Sequence, residues 1–200
     1  MDDRHLDDVY DVRGAPAMRE LYDSWADGYD MELRAVGYVT PARIAEMLAR
    51  FCPDRGARIL DFACGTGLSG VALADLGFTN VDGCDLSAGM LEHAARTGVY
   101  QQLWESSEHP EIPHGRYAAI TACGAVSRGA AEAAVLDTLT AALAPGALLV
   151  FSYNDHTLAD PEYQAALDRQ ITDGCSVLAR EDGEHLPAIG LRSTVFVLRR

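Results

Sequence analysis

Basic side chains are scarce in this 200-residue chain, which has no lysine: sixteen arginines stand against thirty acidic residues, a formal charge of -14 at pH 7. That balance removes the attraction that drives most nucleic-acid binding, so neither DNA nor RNA is expected as a partner. It suits solubility and leaves a cationic substrate open. Long apolar runs are also lacking. Stretches such as Ala147 to Phe151 are far too short to cross a bilayer, and no membrane partner is expected. The five cysteines, Cys52, Cys64, Cys84, Cys123 and Cys175, form no C-x-x-C pair, which argues against a disulfide framework or a zinc site and for reduced thiols. The six histidines, His5, His93, His109, His114, His156 and His185, show no ligand spacing, so no metal is expected. The opening MDDRHLDDVYDV has no apolar stretch, which excludes a secretory signal or a transit peptide there and makes a cytoplasmic location the expectation.

What the chain does contain is the material of one α/β domain over residues 1–200, without repeats, low-complexity tracts or linkers. From Ala17 to about Leu33, Leu21, Trp25 and Tyr29 recur at intervals of four, which predicts an amphipathic entry helix. Thr40 and Pro41 supply a cap and first-turn proline for a second helix carrying Ile44, Met47, Leu48 and Phe51 on one face, ended by Pro53 and Gly56. Residues 1–52 are read as a helical cap and 56–200 as the core.

Beyond residue 56, short apolar runs alternate with helical patterns, the mark of a doubly wound, mostly parallel sheet. Strands are predicted at Arg58–Phe62, Val81–Cys84, Tyr100–Leu103, Ala118–Ala122 and Leu148–Ser152. Helices are predicted at Leu68–Leu76, Ala88–Ala95 and Ala131–Leu143, with stops at Gly77, Gly98 and Pro145-Gly146. After a helix over Pro161–Ile171, CSVLAR and STVFVL read as two strands joined by the polar EDGEHLPAIG, an antiparallel hairpin that completes seven strands. Such a hairpin can end the sheet or pair with another subunit, so the oligomeric state stays open.

The strongest chemical signal is ILDFACGTGLSG, Ile59 to Gly70, in which a buried strand delivers an acid and then a glycine-rich turn opening a helix. Gly65 and Gly67 permit positive φ and close backbone approach to a ligand, and the helix behind them presents free N–H groups. Gly65, Gly67 and Gly70 also spell G-x-G-x-x-G, so a nicotinamide cofactor has to be weighed. Asp61 argues against it: a carboxylate suits the ammonium of an amino-acid-bearing ligand and is a poor neighbour for pyrophosphate. Asp85, ending the next strand twenty residues after Gly65, can accept both hydroxyls of a ribose. Asp82 precedes the strand end and is expected to face solvent.

These residues resemble the class I S-adenosylmethionine-dependent methyltransferases, over roughly Leu21 to Phe151. The resemblance implies a Rossmann-like core and S-adenosylmethionine as cofactor. It places Asp61, Gly65 and Gly67 at the methionine part, Asp85 at the ribose, and Leu86 with Met90 at the adenine or in plain core packing. Glu105, Ser106 or Ser107, from WESSEH, would meet the adenine amino group, and the backbone of Cys123 and Gly124 would contact the cofactor after the fourth strand. LYDSWADGYD is similar to the Tyr-Asp-x-x-Ala-x-x-Tyr-Asp stretch of small-molecule methyltransferases, which would close Tyr22 and Tyr29 over the donor; aromatic faces suit a sulfonium. Trp25 reads as ordinary packing. The family's N/D-P-P-Y pattern for amino-group methylation is absent, which disfavours adenine or glutamine side-chain acceptors.

Methyl transfer from a sulfonium is an in-line displacement of an already activated group, so positioning can suffice. Where the acceptor needs a base, His156 and Asp155, just beyond the fifth strand, are the candidates. The leading expectation is transfer to a small organic molecule; a cofactor-binding protein without transfer and, least favoured because of Asp61, a nicotinamide oxidoreductase are the alternatives.

Overall fold

The computed structural model describes residues 15–127 and 130–200; the opening stretch read above for targeting lies outside them. Helix α1 (Ala15–Val36) runs three residues further than expected and is followed by α2 (Thr40–Phe51). The core then alternates β1 (Ile59–Phe62), α3 (Leu68–Asp75), β2 (Val81–Asp85), α4 (Ala88–Thr97), β3 (Tyr100–Glu105), β4 (Ala119–Ala122), α5 (Val135–Ala141) and β5 (Leu148–Asn154). It closes with α6 (Asp155–Leu158), α7 (Pro161–Thr172), β6 (Ser176–Leu186), a 3-10 turn (Pro187–Ile189) and β7 (Leu191–Arg199).

The seven strands form one sheet in the order β3-β2-β1-β4-β5-β7-β6, in which β7 alone runs against the others, antiparallel to both β5 and β6, the expected doubly wound sheet with an edge hairpin. Alternation along each strand feeds two cores. Ile59, Val81, Leu148 and Val150 pack with Ile44 and Leu48 of α2 and Leu73 of α3. Leu60, Phe62, Ile120 and Phe151 pack on the opposite face with Leu136 and Leu139 of α5 and Leu167 of α7. Thus α2, expected in the cap, packs as a layer of the core.

Several local expectations are corrected. Asp82 is fully buried, because Arg58, leading into β1, donates to its Oδ2 from Nε at 3.0 Å and Nη2 at 2.8 Å, and the Tyr117 hydroxyl donates at 3.0 Å. Thr40 does not cap α2; Val39 holds that position, and the Thr40 hydroxyl contacts Nδ1 of His185 instead. The helix read from Ala131 begins only at Val135, since the Ala131 N–H is committed to the Ala125 carbonyl and its own carbonyl to the Tyr163 hydroxyl. The polar stretch after CSVLAR is itself strand: β6 runs through EDGEHL because one side of an edge strand can stay wet, and Arg43 binds the carbonyls of Glu181 and Glu184. Residues 106–118, between β3 and β4, contain no helix.

Candidate active site

Strand order reverses at β1, whose neighbours β2 and β4 lead away on opposite sides, and the crevice outside their carboxyl ends is where such sheets bind ligands. The turn leaving β1 is built for close approach. Ala63 has φ of 52° and Gly65 of 54°, and a Cβ on Gly65 would meet nothing within 4 Å. Ala63 is a non-glycine residue in the left-handed region, a conformation costing roughly 1–2 kcal/mol, and such strain gathers at ligand sites. Gly67 serves another purpose. At φ of 95° its Cβ would stand 3.2 Å from Thr97 and Tyr100 side-chain atoms and 3.3 Å from the Ala94 Cα, so it lets α3 start against α4 without facing the cavity.

A cavity of about 460 Å³ occupies the crevice. Gly65, Asp85, Leu86 and Met90 form one wall, Ser106 and Ser107 its end, Cys123 and Gly124 the side towards β4, and Tyr22 and Tyr29 the roof. Asp85 is preorganised: its Oδ2 accepts from the Gly65 N–H and its Oδ1 from the Ser87 N–H, both at 2.9 Å, leaving further lone pairs on each oxygen. Burial pushes its carboxyl above the usual range, and these backbone donors pull it back. Asp61 is placed differently. It is fully buried beneath the turn, away from the cavity wall, with Oδ2 accepting from Ser69 at 2.6 Å and Tyr100 at 2.7 Å and Oδ1 from Thr121 at 2.9 Å.

Residues 34–193 match the methyltransferase domain family. Methyltransferase-like protein 27 of Homo sapiens is 33% identical over 168 residues, spanning 78% of this chain and 68% of that protein. The chain belongs to this family: it is a class I S-adenosylmethionine-dependent methyltransferase. Among solved structures, an S-adenosylmethionine-dependent methyltransferase from Mesorhizobium loti superposes with a TM-score of 0.60 at 18% identity, covering 78% of this chain and 96% of that one. The [4+2]-cyclase SpnF superposes at 0.64 with 15% identity over 80% of each chain. At those identities the two structures speak for the fold alone.

In this methyltransferase the roof is tied at three points below it. Arg19 pairs with Glu105 at the end of β3 at 3.0 Å, Asp23 accepts from the Ser87 hydroxyl and the Gly89 N–H after β2, and Asp30 accepts from the Thr66 hydroxyl after β1. Positions 19, 23 and 30 share one helical face, so a straight helix reaches each point in turn. Trp25, buried to 2% exposure and 4.7 Å from the Tyr29 ring, packs the roof down.

Cys123 adjoins a second cluster, in the methyltransferase's hairpin. Its Sγ lies 3.2 Å from the Tyr38 hydroxyl, the Tyr38 ring stands edge-on to His185, and Thr40 links His185 to Ser193, whose hydroxyl accepts from Arg43. Burial pushes the Cys123 thiol up to about 12 and the Tyr38 phenol well above its ordinary value, so both stay protonated at neutral pH. Burial lowers His185 to about 4, which keeps its ring neutral.

The catalytic candidates His156 and Asp155 are not brought to the cavity. β5 runs on to Asn154, whose side chain caps α6 by accepting from the Thr157 N–H, and this carries Asp155 and His156 to exposed positions, where Asp155 accepts from the Arg192 N–H. Sequence reasoning missed the far wall, made by Glu108, Glu111, Glu132 and Val135. These residues sit in irregular chain and a helix start, where no periodicity marks them. It also missed the partners of Asp61 and of the roof, which only the fold brings together.

Proposed function

We propose that this methyltransferase acts on a small organic acceptor, with the cofactor and acceptor sharing the cavity under α1. The enclosed volume carries the reading: about 460 Å³, roofed by Tyr22 and Tyr29 and walled on the far side by Glu108, Glu111 and Glu132, suits a nucleoside ligand beside a compact molecule. The glutamates favour a neutral or positively charged acceptor, and the overall charge of -14 speaks against nucleic acid.

The residues present fit S-adenosylmethionine. Gly65 leaves an open cradle where a side chain would intrude, and Asp85 stands ready for a vicinal diol. Asp85 would take the ribose hydroxyls, Leu86 and Met90 the adenine face, and Ser106 or Ser107 its amino group. The turn and Cys123–Gly124 would take the methionine part, with Tyr22 and Tyr29 above. When bound, this cofactor supplies a methyl group already activated on sulfonium sulfur. The chain's own part is to orient, to exclude water and to hold a field suited to positive charge. Cys123 does not compete as a nucleophile, since its thiol keeps its proton. With His156 and Asp155 outside the cavity, positioning carries the transfer. Among the described residues no helix is long and apolar enough to cross a membrane, and the proposed setting is the cytoplasm.

Calorimetric titration with S-adenosylmethionine, S-adenosylhomocysteine and NADH tests the cofactor, repeated on Asp85→Ala. Saturable binding of both adenosyl ligands, weakened at least tenfold by the substitution, is expected, since hydrogen bonds to a charged group contribute roughly 1.5–3 kcal/mol each. Binding of NADH alone would overturn the reading. Incubating the enzyme with methyl-labelled donor and fractionated cell extract tests the acceptor: label is expected among small molecules, and label confined to protein or RNA would refute that half.

A further inference from the structure

A carboxylate without access to solvent or cavity depends on donors from the protein, and Asp61 has three hydroxyls. Ser69 on α3 and Thr121 on β4 are short side chains on elements flanking Asp61. Tyr100 is not: it begins β3, separated from β1 by the whole of β2. Its ring reaches Asp61 through a slot left by two glycines. A Cβ on Gly83, which lies in β2 and pairs with Asp61 of β1, would stand 2.9 Å from the Tyr100 ring and 2.8 Å from Leu103 Cδ2, and one on Gly70 in α3 would stand 2.2 Å from the Tyr100 hydroxyl oxygen. Neither glycine has positive φ, so no turn demands them. Glycine inside a helix or strand costs roughly 0.5–1 kcal/mol, and here Gly70 yields its volume to the Tyr100 ring and Gly83 to that ring and to Leu103.

We propose that Tyr100 is a positioning residue of the cofactor site: threaded between Gly70 and Gly83, its hydroxyl fixes the Asp61 carboxylate beneath the glycine turn, and cofactor affinity depends on that bond. The inference rests on the proposed cofactor reading. Asp61 acts through the turn and through its field. Burial raises the thiols of Cys64, in the turn, and of Cys123, on the cavity wall, and the Asp61 charge adds to both, so the same field favours a cation held there. Burial pushes the Asp61 carboxyl up and the three hydroxyls bring it down. The titratable groups facing it are Asp85 from β2, Cys64 from the turn, Cys123 after β4 and Tyr100 itself, none of which brings positive charge. Loss of the Tyr100 donor therefore moves Asp61 further up, and cofactor binding then fails at a higher pH as the medium is made acid.

The test is calorimetric titration of the full chain with S-adenosylhomocysteine between pH 5 and 8, as wild type, Tyr100→Phe, Asp61→Asn and the double variant. Tyr100→Phe is expected to weaken binding about tenfold at neutral pH and to shift the acid limb of the affinity profile upward by about one pH unit. In the Asp61→Asn background the same substitution should add less than twofold, because the two residues act as one unit. Gly70→Ala, which displaces the hydroxyl without deleting it, should reproduce the Tyr100→Phe profile and serves in its place if that variant does not fold. Unchanged affinity and acid limb in Tyr100→Phe and Gly70→Ala overturn the inference while leaving the cofactor reading intact. Fully additive losses with Asp61→Asn also overturn it, since they would mark Tyr100 as packing alone. Failure of the wild type to bind would sink the cofactor reading itself.

Discussion

If the cofactor binds under α1 as proposed, the ties between that helix and the elements beneath it should set how fast it leaves. Asp23→Ala combined with Asp30→Ala removes three hydrogen bonds, to the Ser87 hydroxyl, the Gly89 N–H and the Thr66 hydroxyl. Asp23 is exposed and Asp30 half-buried, so each bond is valued at the low end, about 0.7 kcal/mol, or about 2 kcal/mol together. That raises the undocked fraction of α1 about thirtyfold. The helix does not come away altogether, because burial of Trp25 alone contributes about 4 kcal/mol and Met18, Ala26 and Leu33 add to it. If release of S-adenosylhomocysteine passes through the undocked state, its off-rate rises by up to thirtyfold. Stopped-flow fluorescence reads this directly in a Trp104→Phe background, where Trp25, packed against Tyr29, is the sole tryptophan. An off-rate within twofold of the parent, with binding retained, would refute the gating role of α1.

Two further outcomes follow from buried polar groups away from the cavity. Arg58→Met leaves the buried Asp82 carboxylate without the guanidinium that donates twice to its Oδ2; a cost of about 3 kcal/mol is expected, lowering the melting temperature by roughly 6–12 °C in differential scanning calorimetry, and a change under 2 °C would show that Tyr117 and Arg116 suffice. His185, held near 4 when folded, binds its proton in the unfolded chain first, so its stabilising contribution is complete above about pH 6.5 and is lost as pH falls towards 4. The urea midpoint should fall across that window by an amount worth up to about 3 kcal/mol, and His185→Gln should flatten the slope; an equally steep slope in the variant would assign acid sensitivity elsewhere.

Much of the fold is legible in local pattern. The alternation of Ile59 and Asp61 against Leu60 and Phe62 already assigns β1 two faces, and the spacing of Ile44, Met47 and Leu48 marks the buried side of α2. The places of Gly65 and Asp85 on the cavity wall are legible because a tight turn at a strand end needs particular residue types at short range. What escaped depends on partners distant in sequence. Asp82 reads as a surface acid until Arg58, 24 residues away, is seen to reach it. Thr40 looks like a cap until His185, 145 residues on, takes its hydroxyl. The polar run Glu181 to Leu186 looks like a loop because a pattern of side chains cannot reveal that β7 offers it a ladder. Gly70 fits a phosphate fingerprint by spacing, yet in space it makes room for Tyr100.

The helix-free stretch from residue 106 to 111 lines the cavity and is, on the proposed function, where specificity for the acceptor is expected to reside. It supplies Ser107, Glu108 and Glu111 to the cavity, while the sheet order is held by strand pairing and α5 covers the neighbouring core. Changes of composition in residues 106–111 should alter what the cavity admits at little expense to folding, as surface connections generally allow, whereas Tyr117 beyond them is buried in the core and holds Asp82. Divergence in acceptor among relatives should therefore concentrate in that segment, and a directed-evolution library aimed at a new acceptor is best begun there, leaving the turn after β1 untouched.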